Sequence, residues 1–157
     1  MQLCDTIKML QTILKYFDDL TIPELYDILQ LREEVFQIEQ NCIYKDIDDK
    51  DKKCYHLMLY KDAELVAYCR LVPEGISYNG YASIGRVVSK TQYRKEGYGR
   101  QLMSKAMEKM MQVFPHLPIK ISAQLYLQKF YESYEFVAEG EWYIEDEIPH
   151  IAMVFSY

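Results

Sequence analysis

At 157 residues, the chain has the length of one domain that is large enough to bury a hydrophobic core. Half of its residues are apolar and 27% are charged, which is typical of soluble globular proteins and excludes a largely disordered chain. The net charge of −6 argues against nucleic acid as the main partner, because neutralising phosphates requires a basic surface.

The cysteines give no sign of a metal site. Four occur in the chain, at Cys4, Cys42, Cys54 and Cys69. They form no C-x-x-C pair, and no histidine stands at a metal-ligand spacing from them, so we expect no bound metal. Charged residues interrupt the apolar positions near the N-terminus, and no apolar run is long enough to cross a bilayer. We therefore expect a cytoplasmic protein with free thiols and no membrane contact.

The first third of the chain predicts a strand and then a helix. Residues Ile13 to Phe17 read as the strand. Thr21 and Glu24 have the spacing of a capping box, and Pro23 fits the first turn of the helix that follows. Apolar residues then recur at helical spacing through about Gln40.

A polar, acidic stretch from Asn41 to Lys53 comes next and reads as a loop. It contains four aspartates, Asp46, Asp48, Asp49 and Asp51. The stretch does not fit a calcium-binding loop, because Lys50 interrupts the acidic pattern and no glutamate stands at the twelfth position. We predict that these carboxylates are solvated; an acidic groove that attracts a cationic amine is a weaker alternative.

Three strands should follow as a meander. Two strand-like runs, Tyr55 to Tyr60 and Glu64 to Val72, are joined by the short hairpin Lys61 to Ala63. A turn at Gly75 to Gly80 leads to the third strand, Ala82 to Ser89.

The second half alternates helices and strands. We predict a helix at Arg100 to Phe114, a strand at Ile119 to Ala123, a helix around Leu125 to Tyr134, and a hairpin of Phe136 to Ile144 and Ile151 to Phe155 across Glu145 to Pro149. This order predicts a single α+β domain with a largely antiparallel sheet. The third meander strand and the strand at Ile119 are joined through a helix, so these two should lie parallel.

The segment Tyr93 to Gly99, which reads Y-R-K-E-G-Y-G, lies between a predicted strand and a predicted helix. A glycine-spaced loop at this place presents unpaired backbone N–H groups at the positive end of the helix dipole. Basic residues gather on the loop and the helix, at Arg94, Lys95, Arg100, Lys105 and Lys109. We predict that the loop binds the phosphates of a small polyanion; an ordinary turn and a solvated helix face are the alternatives.

The strand, the R-x-x-G-x-G sequence at Arg94 to Gly99 and the amphipathic helix together resemble the acetyl-CoA-binding motif of the GNAT N-acetyltransferase superfamily. The segment Ala123 to Phe136 is similar to a later motif of that superfamily, in which a helix carries a tyrosine shortly before a Gly-Phe pair. Tyr131 falls on that tyrosine. Glu135 stands where the family usually has glycine, so we expect the backbone there to differ.

Four further segments resemble the ElaA-type branch of the superfamily. They are L-R-E-E-V-F-Q-I-E-Q at 31–40, Y-K-D-I-D at 44–48, I-G-R-V-V at 84–88 and I-P-H at 148–150. Their joint occurrence in this order covers most of the chain. The resemblance implies the GNAT fold over residues 1–157: a mixed, mostly antiparallel sheet of six to seven strands with a splayed central pair, flanked by about four helices.

The resemblance also implies a reaction, in which the acetyl group of acetyl-CoA passes directly to an amine of a small molecule or peptide. The pyrophosphate would lie on backbone N–H groups of the glycine loop, the pantetheine arm would run along the strand before it, and an N–H near Val88 would polarise the thioester carbonyl. The implied cofactor-binding residues are Arg86, Val87, Val88, Arg94, Lys95, Glu96, Gly97, Tyr98, Gly99 and Arg100.

Tyr131 is implied to protonate the departing thiolate, although a buried structural tyrosine is the alternative. The attacking amine must be neutral, and the family-like segments offer Glu39, Asp46 and His150 as bases. His150 can take a proton near neutral pH, and Glu39 ends a helix that would border the acceptor groove.

Two other functions remain open at this point. One is a non-catalytic, CoA-binding regulatory module, which would need the glycine loop but not Tyr131. The other is an acyl-homoserine-lactone synthase, a class with a similar early helix but usually a longer chain and a different acyl donor. The aromatic content and exposed strand edges are compatible with a homodimer.

Overall fold

The computed structural model describes residues 9–157, which form seven strands and three α-helices. The strands are β1 (Leu10–Tyr16), β2 (Tyr55–Lys61), β3 (Glu64–Val72), β4 (Ser83–Ser89), β5 (Ile119–Gln124), β6 (Val137–Glu145) and β7 (Ile148–Phe155). The helices are α1 (Ile22–Arg32), α2 (Tyr98–Val113) and α3 (Gln128–Glu132). Antiparallel pairing orders the strands as β1-β2-β3-β4 and β5-β7-β6. The predicted α+β fold is confirmed.

The two sheets meet at a single parallel bridge and then separate. Ala82, just before β4, pairs with Ile119 of β5. The Ala82 N–H donates to the Pro118 carbonyl at 3.1 Å, and the Lys120 N–H donates to the Ala82 carbonyl at 3.0 Å. Beyond this point the described strands β4 and β5 share no ladder. The predicted parallel, splayed central pair is therefore confirmed, and it opens a cleft between the sheets.

Helix α1 begins at the predicted capping box. The Glu24 N–H donates to Thr21 Oγ1 at 3.2 Å, and the Thr21 N–H donates to the Glu24 carboxylate at 2.9 Å. The helical run extends almost as far as predicted, but its last part, Glu33–Glu39, is wound as a π-helix. Such wider turns are often found at functional sites. Here the π-helical segment supplies Val35 and Phe36 to one wall of the cleft.

Helix α2 packs against the first sheet through one apolar face. Leu102, Met103, Ala106 and Met110 are buried in the larger core cluster. A smaller cluster lies under α1 on the opposite side of that sheet, centred on Ile28. None of the helices within residues 9–157 is long and apolar enough to cross a membrane.

The C-terminal hairpin turns more tightly than predicted. The turn consists of Asp146 and Glu147, with φ values of 46° and 64°, so β6 extends through Glu145 and β7 begins at Ile148. Two-residue turns with positive φ at both positions match the twist of antiparallel strands and usually contain glycine. Because this turn lacks glycine, no local signal marks its position in the sequence.

The aspartates of the loop at 41–53 contradict the prediction of a solvated acidic loop. Asp46 and Asp51 are only 6% and 5% exposed. Arg32, fully buried at the end of α1, donates to Asp46 Oδ2 at 2.9 Å and to Asp51 Oδ1 at 2.8 Å. Two of the four carboxylates are therefore structural groups inside the protein, whereas Asp49 remains exposed.

Glu135 adopts the left-handed conformation, with a φ of 67°. This conformation costs a residue with a Cβ about 1–2 kcal/mol. Glu135→Gly removes that strain but increases the entropy of the unfolded chain. We expect a net gain in unfolding free energy of about 0.5–1 kcal/mol, measurable by urea denaturation. Glu135→Ala is the control, since it removes the side chain but keeps the strain, and a larger gain from alanine than from glycine would contradict this explanation.

Candidate active site

A cavity of about 740 Å³ occupies the opening between β4 and β5. Its walls come from the π-helical segment, the two splayed strands, the chain leading into α3 and the turn of the β6–β7 hairpin. Several residues predicted for the site line it together: Arg86, Val87, Val88, Arg94, Gly99, Tyr131 and His150. A depression beside it is lined by the remaining loop residues Lys95, Gly97, Tyr98 and Arg100. Neither Glu39 nor Glu96 lines the cavity or the depression.

The glycine loop leaves a run of backbone donors at the start of α2. The N–H groups of Arg94 and Glu96 are used within the loop, by the carbonyls of Thr91 and Tyr93. The first helical bond runs from the Gln101 N–H to the Gly97 carbonyl. Within the described chain, the N–H groups between them therefore remain available, at Lys95, Gly97, Tyr98, Gly99 and Arg100. Such a group of donors at a helix N-terminus is suited to bind an anion.

The two glycines of the loop have separate roles. Gly97 precedes the helix with a φ of 82°, a conformation that a residue with a side chain adopts only with strain. Gly99 lies within the first turn of α2, and no atom lies within 4 Å of the position that a Cβ would take there. The space above the helix N-terminus is therefore open to a ligand.

The side chain of Arg94 is held by Glu39 from the π-helical segment. Both guanidinium N–H₂ groups contact the Glu39 carboxylate, with Nη2 at 2.8 Å from Oε2. Thr91 Oγ1 donates to the same oxygen at 2.5 Å. The hydrogen bond from Arg94 lowers the pKa of Glu39, although its partial burial opposes this. The Glu39 carboxylate is thus a weak proton acceptor that is already paired with the Arg94 cation. This pairing does not favour its predicted role as a base.

Strand β4 contains a bulge where the pantetheine arm was predicted to lie. Arg70 pairs with Gly85, whereas Tyr68 pairs with Val88, so β4 has one residue more than β3 between these pairs. Arg86 lies in the bulge with a φ of 54°. Glycine within a strand is a known indication of a bulge, so Gly85 was the signal that the sequence offered.

The bulge changes which backbone donors face the cleft. The Lys90 N–H donates to the Val66 carbonyl at 2.8 Å, and Val88 lies two residues earlier in the same ladder. Because N–H groups alternate along an antiparallel strand, the Val88 N–H points toward β3. The N–H groups of Val87 and Ser89 point toward the open edge instead. The backbone donors nearest Val88 that face the cleft are therefore those of Val87 and Ser89, and sequence reasoning did not identify Ser89.

Asp46 joins the bulge to the buried end of α1. Its Oδ1 accepts from Arg86 Nε at 2.8 Å, while its Oδ2 accepts from Arg32. The Tyr44 hydroxyl donates to Oδ1 as well, at 3.1 Å. Both oxygens of Asp46 are therefore occupied, which argues against its predicted role as a base and in favour of holding β4 in its bulged conformation.

A second layer of ion pairs lies beneath this one. Arg70 forms a bidentate pair with Asp48, at 2.7 Å from each of its oxygens, and also contacts Asp51 at 3.0 Å. Burial raises the pKa of Asp48, but the hydrogen bonds and charge of Arg70 outweigh it and lower this pKa to about 2. These two layers of arginines and aspartates thus form a cluster of ion pairs next to β4.

Tyr131 comes from α3 and is 6% exposed where it meets the cavity. Phe130 and Phe136 hold its ring by edge contacts at 5.2 and 6.1 Å between ring centroids. Burial raises the pKa of its hydroxyl, so the group stays protonated near neutral pH. This hydroxyl forms no hydrogen bond with any residue between 9 and 157, which leaves its proton available to a ligand.

His150 lies on β7, facing Gln124 of β5 and Tyr143 of β6 in the strand register. Its side chain is nearly buried, and its Nδ1 is 2.7 Å from the Ile148 carbonyl oxygen. The same wall of the cavity also carries Ser122 and Glu145, which the sequence reasoning did not identify. No short motif marks these two residues; they come together only through the pairing of β5, β6 and β7.

Comparison with known proteins places this architecture in a family. The family model for the acetyltransferase (GNAT) domain matches residues 23–157. A UPF0039 protein of Schizosaccharomyces pombe is 44% identical over 146 residues, which cover 92% of this chain and 95% of the relative.

Solved structures agree with this. That of an acyl-CoA N-acyltransferase from Pseudomonas aeruginosa superposes with a TM-score of 0.88 at 43% identity, covering 93% of this chain and 99% of the other. That of Escherichia coli ElaA gives a TM-score of 0.85 at 40% identity, covering 92% and 98%. The chain therefore belongs to the GNAT acetyltransferase family and, within it, to the group that contains ElaA.

Proposed function

We propose that the protein is an acetyl-CoA-dependent N-acetyltransferase that acetylates an amine of a small molecule or peptide. Membership of the GNAT family gives acyl transfer as the class of reaction. The observation that supports the proposal most is the arrangement of one continuous opening: backbone donors at the N-terminus of α2 adjoin a cavity lined by Tyr131 and His150.

The chain's own groups fit coenzyme A at both ends. Five backbone N–H groups and the open space at Gly99 suit its pyrophosphate. The unpaired edge of β4 can accept the extended pantetheine arm as an additional strand, which satisfies amide groups on both sides. A GNAT-fold acetyltransferase of Thermoplasma acidophilum, 17% identical, was solved with coenzyme A bound, which supports this site at the level of the fold.

The proposed mechanism assigns one task to each group. The N–H groups of Val87 and Ser89 polarise the thioester carbonyl as charge develops on its oxygen. The buried arginine–aspartate layers hold these donors in place through Arg86. Tyr131 donates its proton to the departing thiolate, and His150 accepts a proton from the amine before it attacks.

The three cysteines within residues 9–157 are free and buried. Burial raises the pKa of Cys54 to about 11, so its thiol stays protonated and unreactive near neutral pH. Free thiols are the usual state of cysteines in the reducing cytoplasm, the location that we propose.

If the glycine loop binds the phosphates of the cofactor, acetyl-CoA should stabilise the folded protein. At a ligand concentration 100 times Kd, the gain is about 2.7 kcal/mol, which for a chain of this size raises Tm by about 5–10 °C. Gly99→Asp should abolish the shift, because the added carboxylate repels the pyrophosphate. The same variant should leave the Tm of the free protein nearly unchanged, since no atom lies near the new side chain and an acidic group suits a helix N-terminus.

Gly99→Asn is the matched neutral control and should keep more of the shift than the aspartate variant. An equal acetyl-CoA-induced rise in Tm in the wild type and Gly99→Asp would show that the loop does not bind the cofactor. Release of free thiol from acetyl-CoA in a screen of amines and peptides then separates enzyme from regulatory module: a Tm shift without turnover of any amine favours the non-catalytic function.

A further inference from the structure

The end of the β6–β7 hairpin carries a connected polar cluster that opens into the cavity. Ser122 on β5 donates to Glu145 Oε2 at 2.9 Å, and its own oxygen lies 2.6 Å from the Tyr143 hydroxyl. Because the serine proton goes to the carboxylate, the Tyr143 hydroxyl is the donor in the second bond. This chain of donors ends at Glu145 and fixes the position of its carboxylate beside His150.

The hydrogen bonds of His150 define its tautomer. The Ile148 carbonyl can only accept, so the Nδ1 atom 2.7 Å from it carries a hydrogen. In the neutral ring, the lone pair is then on Nε2. That atom lies 3.5 Å from Glu145 Oε2, and the Tyr143 ring stacks on the imidazole at 6.3 Å between centroids. The ring is thereby held with its basic nitrogen facing the carboxylate.

With the ring neutral, Nε2 and the carboxylate oxygen are both acceptors, and neither supplies a hydrogen to the other. Two acceptors that face each other repel unless a donor lies between or beside them, and a positively charged donor satisfies both best. Ser122, Glu145 and His150 all line the cavity that Tyr131 also lines. A protonated primary amine has the charge and the N–H groups that this pair lacks.

We propose that Glu145 and His150 form the binding site for the ammonium group of the acceptor amine. This assignment rests on the proposed N-acetyltransferase function and specifies which residues bind its second substrate. Glu145 binds the charge, and His150 Nε2 takes one proton from the ammonium to give an imidazolium paired with Glu145. Since Glu145 is half-exposed, the imidazolium proton can pass from there to water.

The proton balance then closes. The neutral amine attacks the thioester carbonyl carbon, so a C–N bond forms and the C–S bond breaks. Tyr131 donates its proton to the departing thiolate, and the second proton that the nitrogen loses on forming the amide restores the tyrosine. One proton per acetyl group is released to solvent through His150.

The test measures ammonium binding directly and needs no acetyl-CoA. The chain has three histidines, His56, His116 and His150, so the ring signals are few enough to assign by NMR, with His150→Gln identifying the third. At about pH 8, an ordinary imidazole is neutral and an alkylammonium is charged. n-Butylammonium should shift the His150 signals of the wild type. Tetramethylammonium, which has the charge but no N–H donor, should not.

Glu145→Gln should abolish the n-butylammonium shift, and Glu145→Asp should retain part of it. Unchanged His56 and His116 signals show that the variants are folded. Equal shifts in the wild type and Glu145→Gln, or equal shifts with the two ammonium ions, would overturn the assignment. This NMR titration does not depend on cofactor binding. A negative result here can therefore be distinguished from a lack of acetyltransferase activity.

With any amine that the thiol-release screen identifies, Glu145→Gln should raise KM about 10- to 100-fold, the loss expected for a hydrogen bond to a charged group. The kcat should change less, because proton transfer to His150 remains. A fall in kcat at constant KM would instead make Glu145 a residue that only orients the His150 ring.

Discussion

Tyr131→Phe should lower kcat by about 10²- to 10⁴-fold and leave the acetyl-CoA-induced rise in Tm unchanged. The substitution removes only the hydroxyl, which has no partner among the described residues and therefore no hydrogen bond to lose. The ring contacts with Phe130 and Phe136 remain, so the folded structure should persist. The thiolate must then take its proton from water, which is not held in place. Steady-state thiol release and thermal unfolding measure the two effects separately.

Tyr126→Phe is the comparison that isolates this hydroxyl. Tyr126 lines the same cavity but is largely exposed, so water can replace its hydroxyl at little cost. We expect a much smaller loss of turnover than in Tyr131→Phe. If the two variants lost turnover equally, or if Tyr131→Phe turned over like the wild type, Tyr131 would be a structural tyrosine and not the acid.

The elements predicted best from the sequence are those whose signal is local. The capping box at Thr21 requires only residues three positions apart, and the structure forms both of its hydrogen bonds. The glycine loop likewise depends on one strand, one short segment and one helix in direct succession. The parallel pairing near Ala82 followed from the helix that joins the two strands, because a crossover through a helix returns the chain in the same direction.

The acidic loop was misread for the opposite reason. Its composition is that of a solvated loop, and its partners are distant in the chain: Arg32 lies 14 residues before Asp46, and Arg86 lies 40 residues after it. No periodicity connects these positions. The family-like segments did contain Arg32, Asp46 and Arg86, but as separate motifs. Only the fold shows that they meet in one buried cluster.

The proposed acceptor site had the weakest signal in the sequence. His150 was a candidate because imidazole titrates near neutral pH, whereas Glu145 was assigned to a turn. The turn is shorter than predicted at both ends, and the one-residue extension of β6 places Glu145 within that strand, next to Ser122 and His150. Turn positions without glycine or proline are set by the pairing of the flanking strands, so their side-chain neighbours cannot be derived locally.

Asp51→Asn should lower the unfolding free energy by about 3–5 kcal/mol, the loss typical of removing one partner from a buried ion pair. Asp51 Oδ1 accepts from Arg32 at 2.8 Å and from Arg70 at 3.0 Å, so its neutralisation leaves two nearly buried guanidinium groups without that charge. For a chain of this length the change corresponds to a fall in Tm on the order of 10 °C. Asp49→Asn is the matched control: Asp49 is exposed and, within residues 9–157, forms an ion pair only with exposed Lys52, so its loss should have almost no effect.

The same network predicts how stability depends on pH. Burial raises the pKa of Asp51, but Arg32 and Arg70 together outweigh this and lower it. Burial also raises the pKa of Asp48, and there Arg70, with a smaller contribution from Arg86, outweighs it. A carboxyl group whose pKa is lower in the folded state contributes stability above its unfolded value of about 4 and loses it as the pH falls toward its folded value. His56, whose pKa is lowered by burial, adds an earlier loss below about pH 6.5. Urea unfolding of Asp51→Asn should therefore keep the loss due to His56 and show a shallower decline below pH 4. An unchanged slope there would assign the acid sensitivity to carboxyl groups other than Asp51.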